Sequence, residues 1–441
     1  MKTRNKISGI LEENKYLLLC VFVYKLFIEV GFWFLTQPVY EGLKRYHFEF
    51  DLFKWTIGTL GCLVLFLVLK HKERTPSIFF LQLMYLVMIV PMAVILGLGD
   101  GNIIFFILTC IGFIYAEFIV QSCNITINLA NKYLSRLLIA GLWLSLIVVI
   151  IGIVAKNGMF TFEAINIYNV YNVRGRFQLN KYIWYMFTWQ YSVIVPFFIV
   201  KYLDKKKYLG SIVFLVIQFV FYLYSGQKGI LFVIPLIVIG YYLGKLKVFN
   251  KLFIYGASIG VSLVTIGAFF WNVLYQCQDL FVRRVLILPA WLKYLYYDFF
   301  QNNPTMGLAG TLWGKFLETE QPYEEGIGYI ISDMYFGLPE VNSNTGFIAE
   351  GMSRFGEAGV LLVFILLAFV LIVIDNFAKR NGYSFAISIS MFSVILLNDG
   401  AIIDTLIFGY LTILVIIGLT YDSKHDIQIK GGWAGKKGRQ V

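Results

Sequence analysis

Charge is what this chain has least of. Only 14% of its 441 residues are Asp, Glu, Lys or Arg, against 59% hydrophobic, and the mean hydropathy is positive. Soluble domains carry about a quarter charged residues, so a water-soluble globular fold is excluded. Histidine is scarce too, three in all and scattered. No Cys/His/Asp cluster has metal-ligand spacing, so neither a metal nor a cofactor is expected. Cys20, Cys62 and Cys110 fall in apolar stretches, Cys123 is expected on the cytoplasmic side, and Cys277 stands alone on the other. That pattern offers no disulfide framework. Internal repeats and Pro- or Ser-rich linkers are absent, so residues 1–441 read as a single membrane domain.

What the chain does have is apolar length. About twelve windows can cross roughly 30 Å of hydrocarbon as helices: 16–36, 53–69, 77–96, 102–121, 136–155, 182–201, 209–224, 229–244, 252–275, 347–374, 383–398 and 402–420. The expectation is an all-α polytopic membrane protein. Pro91, Pro196 and Pro235 lie inside windows and predict kinks. Gly256-Ala-Ser-Ile-Gly260 has the small-xxx-small spacing that lets helices approach closely. The first apolar stretch lacks a small-residue cleavage site and is long enough to span, so no cleaved signal peptide is expected.

Lys and Arg set the orientation. Alternate segments are basic: Lys70-His-Lys-Glu-Arg74, Lys132 to Arg136, Lys205-Lys206-Lys207, Lys245 to Lys251, Lys379-Arg380, and the tail 421–441 with Lys436, Lys437 and Arg439. The opposite set, 97–101, 398–404 and the long interval 276–346, is neutral or acidic. Both termini are therefore expected in the cytoplasm, with 276–346 as one large extracytoplasmic loop. The net charge of +11 is topogenic and calls for no nucleic-acid partner.

Three extracytoplasmic segments are chemically furnished: 37–51, 156–181 and the long loop. The second holds Lys156, Arg174, Arg176 and Lys181 against a single Glu163. Basic residues are disfavoured in short translocated loops, so this excess points to an anionic partner, and Arg suits phosphate through its permanently charged fork. A salt bridge to the acidic loop or to lipid headgroups accounts for the pair equally well. Arg283 and Arg284 are adjacent, and helix neighbours point about 100° apart, so one can face a ligand while the other meets a carboxylate or a lipid headgroup; snorkelling to the interface accounts for many such pairs as well. Residues 281–300 look amphipathic and aromatic, as a helix lying at the interface would, and 302–342 look irregular or short-helical. Lys228 sits in the tight turn Ser225-Gly-Gln-Lys228, close to the membrane face, where it either anchors the interface or meets a ligand.

Glu350, Arg354 and Glu357 share one face if a helix begins near Thr345, either lining a polar cavity or, for Glu350 and Arg354, pairing with each other. Lys25 and Glu29 form a compensating pair in the first window, and Glu117 has no evident partner. Asp399 and Asp404 cap the last extracytoplasmic turn.

Together these residues resemble a family. Arg283-Arg284-Val-Leu-Ile-Leu-Pro289, Tyr297-Asp-Phe299-Phe300 with Asn303-Pro304, Asn342-Ser-Asn344-Thr-Gly-Phe347-Ile-Ala-Glu350, Phe355-Gly356-Glu-Ala-Gly359, and Ser225-Gly-Gln-Lys228-Gly are similar to segments of Wzy-type polymerases. These are the repeat-unit polymerases of O-antigen and capsule synthesis. The resemblance covers roughly residues 225–360. It implies a GT-C-like fold in a bacterial cytoplasmic membrane and a glycosyltransferase working on its extracytoplasmic side. Donor and acceptor would be undecaprenyl-diphosphate-linked oligosaccharides. A chain-length regulator and a flippase would be partners within the lipid bilayer.

Carried onto this sequence, Arg283 and Arg284 would meet the diphosphate's developing charge and Glu350 would be the base. Arg174, Arg176, Lys228, Tyr297, Asn344 and Arg354 would bind substrate. An O-antigen ligase-like enzyme is the nearest rival, using the same donor with another acceptor. Such enzymes often place a His in the large loop, and this loop has none. A flippase or transporter would show short loops, an internal repeat and midplane charges instead.

Overall fold

Four prolines account for four departures from regular helix. Pro38, Pro91, Pro196 and Pro289 each stand two residues after a π-helical stretch: Phe32–Thr36, Tyr85–Ile89, Gln190–Ile194 and Gln278–Ile287. Proline has no N–H to give and its ring clashes with the carbonyl four residues back; widening the turn to i→i+5 bonding relieves both. The kinks expected at Pro91 and Pro196 therefore take this form, while Pro235 sits inside an uninterrupted helix.

The computed structural model describes residues 2–40, 43, 49–69, 74–123, 125–166, 169–344 and 346–425, and among these there is no β-strand. The basic stretch 70–73, Thr345, most of 41–48 and the basic tail from 426, with Lys436, Lys437 and Arg439, lie outside the described residues. The helices are α1 (Lys15–Tyr40), α2 (Leu52–Val68), α3 (Pro76–Leu98), α4 (Ile103–Ser122), α5 (Lys132–Asn157), α6 (Val170–Arg176), α7 (Lys181–Asp204), α8 (Tyr208–Ser225), α9 (Lys228–Lys245) and α10 (Phe249–Ala268). They continue as α11 (Leu288–Asn302), α12 (Ile327–Phe336), α13 (Phe347–Asn381), α14 (Tyr383–Asn398), α15 (Ile402–Phe408) and α16 (Tyr410–Thr420). Nine described helices are long and apolar enough to cross a membrane, or ten if α15 and α16, bent by 59°, form one broken span. The chain is a polytopic helical membrane protein.

Side-chain caps fix where several spans begin. Asp51, Asn102, Asn131 and Asn180 each accept from backbone N–H groups of the following turn, at 2.8–3.2 Å. These satisfy donors that a helix start leaves orphaned. Helix α3 is buried along nearly its whole length and forms the centre around which the others pack.

Four expectations are corrected. The window 252–275 ends early, at Ala268, because Trp271 turns extended (φ −132, ψ 124) before a short helix Asn272–Cys277. Phe269, Phe270 and Trp271 at the turn are all aromatic, so hydropathy runs through it. Gly256 and Gly260 have nothing within 4 Å of a built Cβ; it is Ser258, between them, that meets α1, donating to the Cys20 carbonyl at 2.9 Å. Helix α11, expected to lie at the interface, is buried from Pro289 through Tyr297. Its Tyr294 hydroxyl donates to Met92 O of α3 at 3.0 Å, and its Tyr297 ring stacks on Phe105 of α4 at 4.6 Å. Its polar tips find protein partners, which removes the reason for an interfacial position.

The fourth correction is the largest. Helix α13 is broken at Phe355 (φ −135, ψ 20) and Gly356 (φ 63, ψ −147). Gly351 and Gly359 would stand about 12 Å apart on a straight helix, yet a Cβ on Gly351 would lie 2.5 Å from the Gly359 carbonyl oxygen. The arm 347–354 thus folds back on 357–381, and Glu350, Arg354 and Glu357 do not share a face. Gly356 occupies a conformation that side-chain-bearing residues pay about 1–3 kcal/mol to adopt. Gly356→Ala is expected to lower the melting midpoint of the detergent-solubilised protein, while Gly141→Ala, whose built Cβ meets nothing, leaves it unchanged or raises it. Equal melting of Gly356→Ala and wild type would remove the hairpin.

Candidate functional site

Three of the cations singled out in sequence converge. Helix α6 carries Arg174, the α8–α9 turn carries Lys228, and the π-helical stretch 278–287 carries Arg284. All three surround Tyr171: Arg284 Nη1 donates to its hydroxyl at 3.4 Å, and Lys228 Nζ lies 5.8 Å from its ring centroid. The Arg284 hydrogen bond and charge, with Lys228 and Arg174 behind them, hold the exposed Tyr171 phenol below its usual range. Gly226 seats the turn on α6: its φ is +61, and a Cβ there would lie 2.6 Å from Val170 O. Neither Arg174 nor Lys228 has a carboxylate partner among the described residues.

The Arg283–Arg284 expectation is corrected by the π-helix. Widened turns place both residues over the same Asp279: Arg283 pairs with Oδ1, and Arg284 Nε lies 3.4 Å from Oδ2. The two differ in what else they meet. Arg283 is largely enclosed and donates to the Tyr40 hydroxyl at 3.2 Å, whereas half of the Arg284 side chain remains exposed, 47%. Arg176 does not join the cluster. It pairs with Glu163 and lines a hollow of about 270 Å³ together with Lys156, Phe160, Phe177 and Tyr224.

Glu350 and Arg354 make a second centre. Glu350 Oε2 accepts from the backbone N–H groups of Ile402 (2.6 Å) and Ile403 (3.0 Å), and Oε1 accepts from Arg354 Nε at 3.3 Å. Arg354 also donates to Gly307 O and Ala309 O at 3.3 Å and to both oxygens of Asp404 at 3.2 Å. Every oxygen of Glu350 is thus engaged in holding α15 and the loop against α13. Glu357, beyond the break, accepts from the Tyr297 hydroxyl at 3.2 Å. Tyr297 is a core residue here and Asn344 is exposed. Elsewhere, Lys25 and Glu29 are paired and buried with Trp55 Nε1 2.8 Å from Glu29, and Glu117 has a partner after all in Gln121 Nε2 at 3.0 Å.

Sequence reading passed over a third centre. Lys293 is wholly buried and donates to Pro289 O (3.2 Å), Asn398 O (3.2 Å) and Asn398 Oδ1 (3.0 Å). Asn398 Nδ2 in turn donates to Val285 O at 2.7 Å, the residue after Arg284. Burial pulls Lys293 down to about 8, with Asp399 opposing; burial pushes Asp399 up to about 6, with Lys293 opposing. The signal for Lys293 was a lone lysine amid Trp291, Leu292, Tyr294 and Leu295. For Asp279 it was the four- and five-residue spacing to the arginines.

No protein-family model, curated protein or solved structure matches this chain.

Removing a carboxylate that caps a helix and pairs with a buried Arg strands both partners, at about 3–5 kcal/mol. Glu350→Ala is expected to reduce the yield of monodisperse protein sharply, Glu350→Gln less so. The double change Glu350→Gln with Arg354→Gln should be milder than the sum of the two. Full additivity in that cycle would show that the pair does not couple.

Proposed function

We propose that this protein is an extracytoplasmic polymerase of lipid-linked oligosaccharides, a glycosyltransferase that joins undecaprenyl-diphosphate-linked repeat units into a surface polysaccharide. The observation that carries this reading is the convergence of Arg174, Lys228 and Arg284, from three separate segments, on a site where Asp279 is the neighbouring acid. Cations held together repel one another unless an anion joins them. A diphosphate fits, since its charge grows as it leaves and Arg offers a two-pronged fork for its oxygens. In the step, a hydroxyl oxygen of the acceptor unit bonds to the anomeric carbon of the donor glycan. The bond from that carbon to the diphosphate oxygen breaks, its electron pair stays on the polyprenyl diphosphate, and the hydroxyl proton passes to a carboxylate. The fold in this reading has twelve spans, with α2, α14 and the bent α15–α16 pair completing the set, both termini cytoplasmic, and the cation cluster on the outer side. A ligase would use the same cradle; the absence of a His in 276–346 favours the polymerase.

Arg174→Ala or Arg284→Ala is expected to abolish long polymer on cells while leaving protein level intact, and Arg→Lys to restore it in part, because Lys keeps the charge and loses the fork. Normal chain length from both Ala variants would reduce the cluster to an interfacial anchor. Orientation is tested separately: a cysteine introduced at Glu325 should react with an impermeant maleimide from outside, and one at Lys206 should not. The reverse pattern would deny the site its substrate.

A further inference from the structure

The transfer needs a group to take the acceptor's proton, and several of the carboxylates between 279 and 404 are committed. Asp279 holds two arginines, Glu350 caps α15 and pairs with Arg354, and Asp404 pairs with Arg354 as well. Glu357 accepts from Tyr297, and Asp298 accepts from the Tyr335 hydroxyl at 2.5 Å. Asp399 differs. Its carboxylate has no hydrogen bond or ion pair among the described residues, and it is open to solvent although protein surrounds it on most sides.

Its position is fixed by its neighbours. The Asp399 N–H donates to Leu396 O at 3.1 Å, closing the turn. Asn398, one residue before, is bolted on one side to Lys293 of α11 and on the other to Val285, next to Arg284. Gly346 closes over the same turn, leaving no room for a Cβ against the Leu397 and Asn398 carbonyls. A turn held at three points keeps a carboxylate within the small tolerance that proton transfer requires.

Resting on the polymerase reading, we infer that Asp399 is the general base that receives the acceptor hydroxyl's proton, and that the Lys293–Asn398–Val285 tether positions it beside the Arg284 end of the diphosphate cradle. Lys293 is a positioning residue. It touches no substrate, and its buried charge favours the ionised carboxylate of Asp399 through space without pairing with it. The titratable groups facing Asp399 are Lys293 from α11 and the Tyr410 hydroxyl from α16.

A base works when deprotonated, so activity should fall as pH drops through the Asp399 value of about 6. Lys293→Gln keeps a donor to Asn398 but removes the charge, which lets the Asp399 value rise and moves the acid limb to higher pH.

The test reconstitutes the full chain in proteoliposomes with the lipid-linked oligosaccharide pool extracted from host cells in which its gene is deleted. Polymer is read by chain length on a gel, and folding by melting midpoint. Asp399→Asn is expected to melt like wild type and lose about 10²–10⁴-fold in rate. Lys293→Gln should shift the acid limb upward with a smaller loss at high pH. A folded Asp399→Asn within tenfold of wild type overturns the assignment, and so does an unshifted limb in Lys293→Gln. Should Asp399→Asn fail to fold, the wild-type profile decides, because a rate flat from pH 5 to 7 excludes a base titrating near 6. A wild-type protein that makes no polymer from this pool fails the polymerase reading itself, which is a separate outcome.

Discussion

The loop end of this protein depends on Arg354. In one guanidinium meet the re-entrant arm of α13 through Glu350, the loop carbonyls of Gly307 and Ala309, and the first turn of α15 through Asp404. An apolar surrounding leaves irregular backbone few ways to satisfy its carbonyls, and a charge few ways to be neutralised. Arg354 answers both needs together, with Glu350 adding the exposed N–H groups of α15. A Lys at this position has no planar fork and cannot serve carbonyls on one edge and a carboxylate on the other.

Legibility in the sequence followed the period of the signal. Apolar windows announced a helix in each of twelve places because apolar character is written residue by residue, while the starts at Asp51, Asn102, Asn131 and Asn180 show only in the caps those side chains form. Breaks were harder. Phe269 to Trp271 is as apolar as the spans around it, and Phe355-Gly356 reads as an ordinary small-residue step, so hydropathy passes through both. The long loop misled in the other direction. Tyr294, Tyr296 and Tyr297 suggest an interface by composition, and only the Met92, Ser343 and Glu357 acceptors supplied by distant segments make burial of α11 possible.

The same division holds for the site. That Arg174, Lys228 and Arg284 matter was visible as a charge anomaly, residue by residue. That they share Tyr171 was not, because it rests on Gly226 seating the α8–α9 turn against α6, a contact between segments some fifty residues apart. Glu350 shows the converse. Its chemistry, a carboxylate among few at an apolar position, suits a base and a capping group equally, and the difference lies in which atoms surround it.

Proline is the link between these levels. Pro289 widens the helix before it, and the widened turn lets Arg283 and Arg284 share Asp279 where a regular helix would separate them. Because Arg283 is enclosed by Tyr40, the shared Asp279 leaves Arg284 as the exposed member, turned to Tyr171 and the free cations. One residue further, Val285 offers its carbonyl to Asn398. In an unbroken α-helix that carbonyl would be committed four residues on, to the N–H of residue 289, and residue 289 is a proline with none to give. The single imino acid that bends the segment therefore also frees the acceptor that fastens the Asn398–Asp399 turn to the segment carrying Arg284.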